Sequence, residues 1–187
     1  IVHTVYKYRS IDESYGGVRI LDRVGGTWRV VDELPFWEHF VQGGGTPVDW
    51  YTSTVPDNLF SRLRTGPPTI ANLDDDPEPE IAVAGGEFYQ VLDVDTSAGM
   101  PTLSHKWQRT NSDLSSASTG SSVFDFEADG VSEVLYADQN ELFIFDGPTG
   151  LDRIDSADFD PTDHCSGTST ELPVIVDADN DGATEIL

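Results

Sequence analysis

Pro173-Val-Ile-Val-Asp177-Ala-Asp179-Asn-Asp181-Gly182-Ala-Thr-Glu185-Ile-Leu187 decides how the rest of the sequence is read. Counted from Asp177, oxygen-bearing side chains stand at positions 1, 3, 5 and 9, with glycine at position 6 and an apolar strand after. The arrangement occurs twice more upstream. One copy is Asp125-Phe-Glu127-Ala-Asp129-Gly130-Val-Ser-Glu133-Val-Leu-Tyr136. The other is Asn72-Leu-Asp74-Asp-Asp76-Pro77-Glu-Pro-Glu80-Ile-Ala-Val83. The loops begin at residues 72, 125 and 177, spacings of 53 and 52 residues. Agreement in internal pattern and in period marks a repeat architecture.

The remainder of the unit repeats as well. Glu87-Phe-Tyr-Gln-Val-Leu-Asp93 and Lys106-Trp107-Gln108 follow the first loop, and Glu141-Leu-Phe-Ile-Phe-Asp146-Gly147 follows the second. Gly17-Val-Arg-Ile-Leu-Asp22 and Thr27-Trp28-Arg-Val30 match the late part of a unit. Each unit reads as four short strands rich in Val, Ile, Phe and Tyr, broken at Gly, Asp and Asn. Four strands over roughly 40–50 residues is the period of a propeller blade. The expected fold is therefore all-β, a partial β-propeller of about three to four four-stranded blades. Residues 1–31 end a first blade, 65–117 and 118–169 each form a blade with an acidic loop, and 170–187 start another. Residues 32–64 interrupt the period with an aromatic-rich insertion, with one short helix expected over 57–64.

The loops have the chemistry of a hard-cation site. Calcium takes six to eight oxygen ligands, and a tight loop supplies them when alternate side chains point inward. The expected ligands are Asn72, Asp74, Asp76 and Glu80 in the first loop. They are Asp125, Glu127, Asp129 and Glu133 in the second, and Asp177, Asp179, Asp181 and Glu185 in the third. Position 7 would add a carbonyl, and the acid at position 9 closes the shell. The spacing is not that of an EF-hand, whose last acid is at position 12 between helices. Magnesium prefers to keep several waters, and zinc lacks its usual His and Cys partners here. Glu127 is a longer arm than the Asp at the same position elsewhere, expected to bind through water. Pro77 stands where the other loops have glycine, which leaves the turn of the first loop open. The alternative is that all three are plain Asp/Gly turns.

Composition narrows the partners. Acidic residues number 34 against 10 basic ones, a net charge of -24. Such a chain repels phosphate backbones, so no nucleic acid is expected. The acids serve both as ligands and as a solvated surface. No apolar run is long enough to span a membrane as a helix, and no signal peptide is visible behind Ile1, an N-terminus expected of a processed or excerpted chain. Cys165 is the sole cysteine, which excludes an internal disulfide; it is structural, unpaired, or paired outside this chain.

On the three loops and the strand after each, the chain resembles the FG-GAP/VCBS repeat family, similar to the integrin α-subunit propeller. The likeness covers residues 65–187 well and 1–31 weakly, and without a Phe-Gly…Gly-Ala-Pro element the VCBS variant fits better. The resemblance implies a seven- or eight-bladed calcium-binding ring in a secreted or cell-surface protein. Such proteins serve in adhesion or in glycan or protein contact. About three and a half units cannot close such a ring, so further blades or neighbouring chains are expected to complete or extend it.

Activity is not legible. GxSxG, HExxH and P-loop patterns are absent, and His3, His39, His105 and His164 are scattered. No catalytic residue is assigned. Phe36, Trp37, Phe40, Trp50, Tyr51 and Phe60 of the insertion could stack on sugar rings or form a satellite core. The first expectation is a non-enzymatic secreted or surface module with structural calcium and a glycan or protein ligand. The alternatives are the scaffold of a polysaccharide lyase or hydrolase, and a structural subunit of an extracellular assembly.

Overall fold

The structure is a computed structural model that describes residues 1–7, 15–35, 65–85, 88–112, 119–154 and 172–187. Among these residues the regular elements are all β-strands, and every ladder between them is antiparallel. The all-β class is as expected. None of the described residues forms a helix long and apolar enough to cross a membrane. Of the insertion expected over 32–64, residues 32–35 continue a strand that begins at Thr27; the rest of it, with its aromatic residues and the short helix expected at its end, lies outside the described residues, as do His39, His164 and Cys165.

The strands fall into four sheets in chain order. β1 (Val2–Lys7), β2 (Tyr15–Val24) and β3 (Thr27–Pro35) form the first. β4 (Thr69–Ala71), β5 (Glu80–Gly85), β6 (Phe88–Asp95) and β7 (Thr102–Thr110) form a four-stranded meander. β8 (Ser121–Phe124), β9 (Glu133–Ala137) and β10 (Leu142–Phe145) form the third, with Asp152 bridging back to Phe145 beside β10. β11 (Ile175–Val176) and β12 (Glu185–Ile186) pair as the fourth. The repeat is visible in these bounds. Each acidic loop joins the first two strands of a sheet, and β5, β9 and β12 all begin at the position-9 glutamate.

Burial explains why the strands hold. β5 and β9 are apolar on consecutive residues because both faces are covered: Ile81, Ala82, Val83, Ala84, Val134, Leu135 and Tyr136 are all buried. Alternate residues of β5 then serve different cores. Ala82 and Ala84 join Tyr89, Val91 and Trp107 against Val134, Tyr136 and Phe145 of the next sheet. Ile81 and Val83 join Leu92 and Leu103 against Val18 and Ile20 of the first sheet. A meander with both faces occupied by neighbouring sheets thus stands at the centre of the described structure.

Polar ties at the repeat distance reinforce this stacking. Thr69 Oγ1 donates to the Ser121 carbonyl at 2.8 Å, and Ser122 Oγ donates to the Pro173 carbonyl, residue pairs one repeat apart. Tyr89 stacks obliquely on Tyr136, with ring centroids 4.6 Å apart. Trp107 Nε1 donates to the Gly147 carbonyl at 2.7 Å, and Arg109 Nε and a terminal guanidinium nitrogen hold the Gly150 and Thr149 carbonyls at 2.5 and 2.8 Å. On the other side, the Leu103 N–H donates to Asp32 Oδ2 at 2.6 Å.

Candidate metal centres

All three loops share two hydrogen bonds. The position-9 glutamate accepts the N–H of position 2 through Oε2: Glu80 from Leu73 at 2.6 Å, Glu133 from Phe126 at 3.1 Å, Glu185 from Ala178 at 2.7 Å. The position-5 aspartate accepts the N–H of position 7 through Oδ1: Asp76 from Glu78 at 2.9 Å, Asp129 from Val131 at 2.9 Å, Asp181 from Ala183 at 2.7 Å. The first bond fastens the loop to the strand it opens. The second is an Asx turn that folds the loop's far end.

The second and third loops are further alike. Asp125 accepts the N–H groups of Asp129 and Gly130 at 3.1 and 2.8 Å, and Asp177 accepts those of Asp181 and Gly182 at 3.1 and 3.0 Å. Their backbones take positive φ at position 4 (Ala128, 56°; Asn180, 62°) and position 6 (Gly130, 95°; Gly182, 90°). Proline cannot adopt that φ, and the first loop folds otherwise. Asn72 Oδ1 accepts the Asp74 N–H at 3.3 Å and Asp74 Oδ1 accepts the Asp76 N–H at 2.8 Å, so successive Asx turns replace the glycine turn.

These folds gather carboxylates. Asp74, Asp76, Glu80 and Asp93 each bring one oxygen within 4.8 Å of the others; so do Asp125, Glu127 and Glu133, and Asp177, Asp179 and Glu185. Nine of the eleven expected carboxylate ligands are therefore brought together. Asp129 and Asp181 lie outside the clusters, each with Oδ1 on the N–H of position 7, as Asp76 also has within its cluster. Asn72 links loops: its Nδ2 donates to the Gly130 carbonyl at 3.4 Å and its own carbonyl accepts the Ser132 N–H at 3.0 Å.

Three groups escaped the reading of the sequence. Asp93, on β6, lies one residue beyond the Ile81–Leu92 pair and so faces Glu80 across the ladder. Lys106 of β7 forms an ion pair with Asp74, and Arg153 pairs with both Glu127 and Glu133. Among the described residues no Lys or Arg pairs with the third cluster. Lys106 is one of only two lysines in the chain, which was the available signal for it. Pairing Glu80 with its hairpin partner would have found Asp93.

The electrostatics differ loop by loop. Burial pushes the Glu80 carboxyl above its ordinary pKa against the pull of the Leu73 N–H, and nearby Asp74 adds to the rise. Burial opposes ionisation of Asp74 too, but Lys106 and the Asp76 N–H outweigh it and hold its pKa low. Glu80 Oε1 and Asp93 Oδ1 are buried without a hydrogen-bond partner. Two inward carboxylate oxygens left unsatisfied fit a hard cation, so the first cluster passes a chemical test for one. In the second loop the Gly130 N–H foremost lowers the pKa of Asp125, and Arg153 lowers that of Glu127. There the carboxylates already have a cation. The three acidic clusters could hold metal, and their chemistry does not by itself name which.

No family model matches the sequence, and no curated protein matches it. The crystal structure of the V. cholerae biofilm matrix protein Bap1 is similar to it, with 28% identity and a TM-score of 0.45 over 58% of this chain. The matched part is 16% of that chain.

Proposed function

We propose that this chain is part of a secreted or cell-surface β-propeller of the FG-GAP/VCBS kind, in which calcium held by acidic loops stiffens the join between successive blades. The single observation carrying this is the recurrence of one loop, with the same two internal hydrogen bonds, at the start of three successive sheets. Contacts between residues one repeat apart support the reading of the sheets as stacked blades. In the central meander, the carboxylates of two strands meet around unsatisfied oxygens, where a divalent cation would cross-link the loop to β6. Calcium in this role is structural. The loops and insertion are then free to present a surface to a glycan or protein, without catalysis.

Calcium titration of the full chain followed by calorimetry tests the proposal. Saturable binding at calcium concentrations of about 0.1–1 mM, the range of extracellular modules, together with higher thermal stability, is expected. Absence of both would reject it. Electron microscopy of the protein in its complete form tests the ring, and turnover of a polysaccharide would favour a lyase or hydrolase scaffold instead.

A further inference from the structure

The geometry points to Arg153 as a built-in cation that takes the place of the metal in the second loop, so that this loop is held shut by the protein's own guanidinium. The inference rests on the preceding reading of the loops as calcium sites and makes the second an exception. One terminal guanidinium nitrogen of Arg153 donates to Glu133 Oε1 at 2.6 Å and to Glu127 Oε2 at 2.9 Å; the other donates to Glu127 Oε1. Both oxygens of Glu133 are thereby engaged, since Oε2 already accepts the Phe126 N–H. Both oxygens of Asp125 accept N–H groups of the turn. Of the three clustered acids, none keeps a carboxylate oxygen without a hydrogen bond, in contrast to Glu80 Oε1 in the first loop.

The sequence departs from the pattern at the same place. Position 3 is aspartate in the first and third loops and Glu127 here. The longer arm is what takes up a two-point pair with a guanidinium, the geometry that makes Arg–carboxylate contacts strong and directional. Arg153 is itself anchored. Its N–H donates to the Ile144 carbonyl at 2.8 Å, beside the Phe145–Asp152 bridge, so the side chain springs from backbone pinned to β10. A divalent ion entering the loop would have to displace this guanidinium or sit against its positive charge.

Bound calcium per chain, counted by equilibrium dialysis of the full chain at about 1 mM free calcium, decides the matter. Asp125→Asn is expected to leave the wild-type count unchanged. Arg153→Gln is expected to gain one ion, and the Arg153→Gln/Asp125→Asn double variant to lose it again. A loss of one ion in Asp125→Asn, or no gain in Arg153→Gln, overturns the inference. Should Asp125→Asn fail to fold, Glu127→Gln is read in the same way, because Glu127 belongs to the same cluster and its amide oxygen can still accept from Arg153. A wild type that binds no calcium defeats the proposed function, whereas a gain in Arg153→Gln would even then uphold the role of Arg153.

Discussion

Glu80 and Asp93 face each other across the β5–β6 ladder, and each keeps a buried carboxylate oxygen without a hydrogen-bond partner. Like charges in facing positions oppose strand pairing. A buried unsatisfied acceptor costs about 1–3 kcal/mol. Without metal, Lys106 offsets part of this through its pair with Asp74. Asp93→Asn removes one charge while keeping the shape. Stability in EGTA is expected to rise by about 1 kcal/mol, while the gain from added calcium shrinks. Chemical denaturation with and without calcium measures both. A variant less stable in EGTA and equally responsive to calcium would show that Asp93 takes no part in cation binding.

Calcium itself should stabilise the chain against EGTA. An ion present at ten times its dissociation constant contributes about 1.4 kcal/mol per site. For a chain of this size each kcal/mol moves the melting temperature by about 2–4 °C. Magnesium at the same concentration should do much less, because it gives up its water reluctantly. Superimposable melting curves in calcium and EGTA would contradict structural calcium.

The loops were legible in the sequence because their chemistry is local. The position-9 glutamate opens a strand in each case, as its place before an apolar run implied. Groups arriving from other strands were not legible. Asp93, Lys106 and Arg153 reach the clusters only through the pairing of β6, β7 and the segment beside β10. Nor does residue type tell which acids of a loop gather. Asp179 and Asp181 are both aspartates in one loop and each accepts a backbone N–H, yet only Asp179 brings an oxygen into the cluster. The contacts of Asn72 were no more legible: it caps its own loop at Asp74 and also reaches Gly130 and Ser132 of the neighbouring loop.

The hydroxyl network between the second and third sheets is expected to be asymmetric. Tyr89 donates to Ser121 Oγ at 2.5 Å, and Ser121 Oγ also lies 2.8 Å from Thr69 Oγ1. Tyr89→Phe leaves Ser121 with Thr69 and should cost about 1 kcal/mol. Ser121→Ala strands the phenol of a fully buried tyrosine and should cost more, about 2 kcal/mol. Equal losses in urea melts would mean that the phenol finds another partner.

Gly150 tests how tightly the second and third sheets are pressed together. It sits under the Trp107 indole at a φ of +64°, and a Cβ there would lie 2.4 Å from Cδ2 and 2.5 Å from Cε3. The ring has little room to retreat, because Trp107 is buried in the aromatic core and its Nε1 is held by the Gly147 carbonyl. The Gly150 carbonyl holds Arg109 in turn, so movement of this turn breaks that contact too. Gly99 provides the control: its φ is +86°, but a Cβ would meet nothing within 4 Å. Gly99→Ala therefore suffers only the cost of a left-handed alanine, about 1–2 kcal/mol. Gly150→Ala adds overpacking of about 1–3 kcal/mol, and the pair should differ by that amount in the free energy of unfolding measured by denaturant. If the two variants are equally stable, the indole is not pressed against this turn, and the packing between the two sheets is looser than the contacts of Trp107 imply.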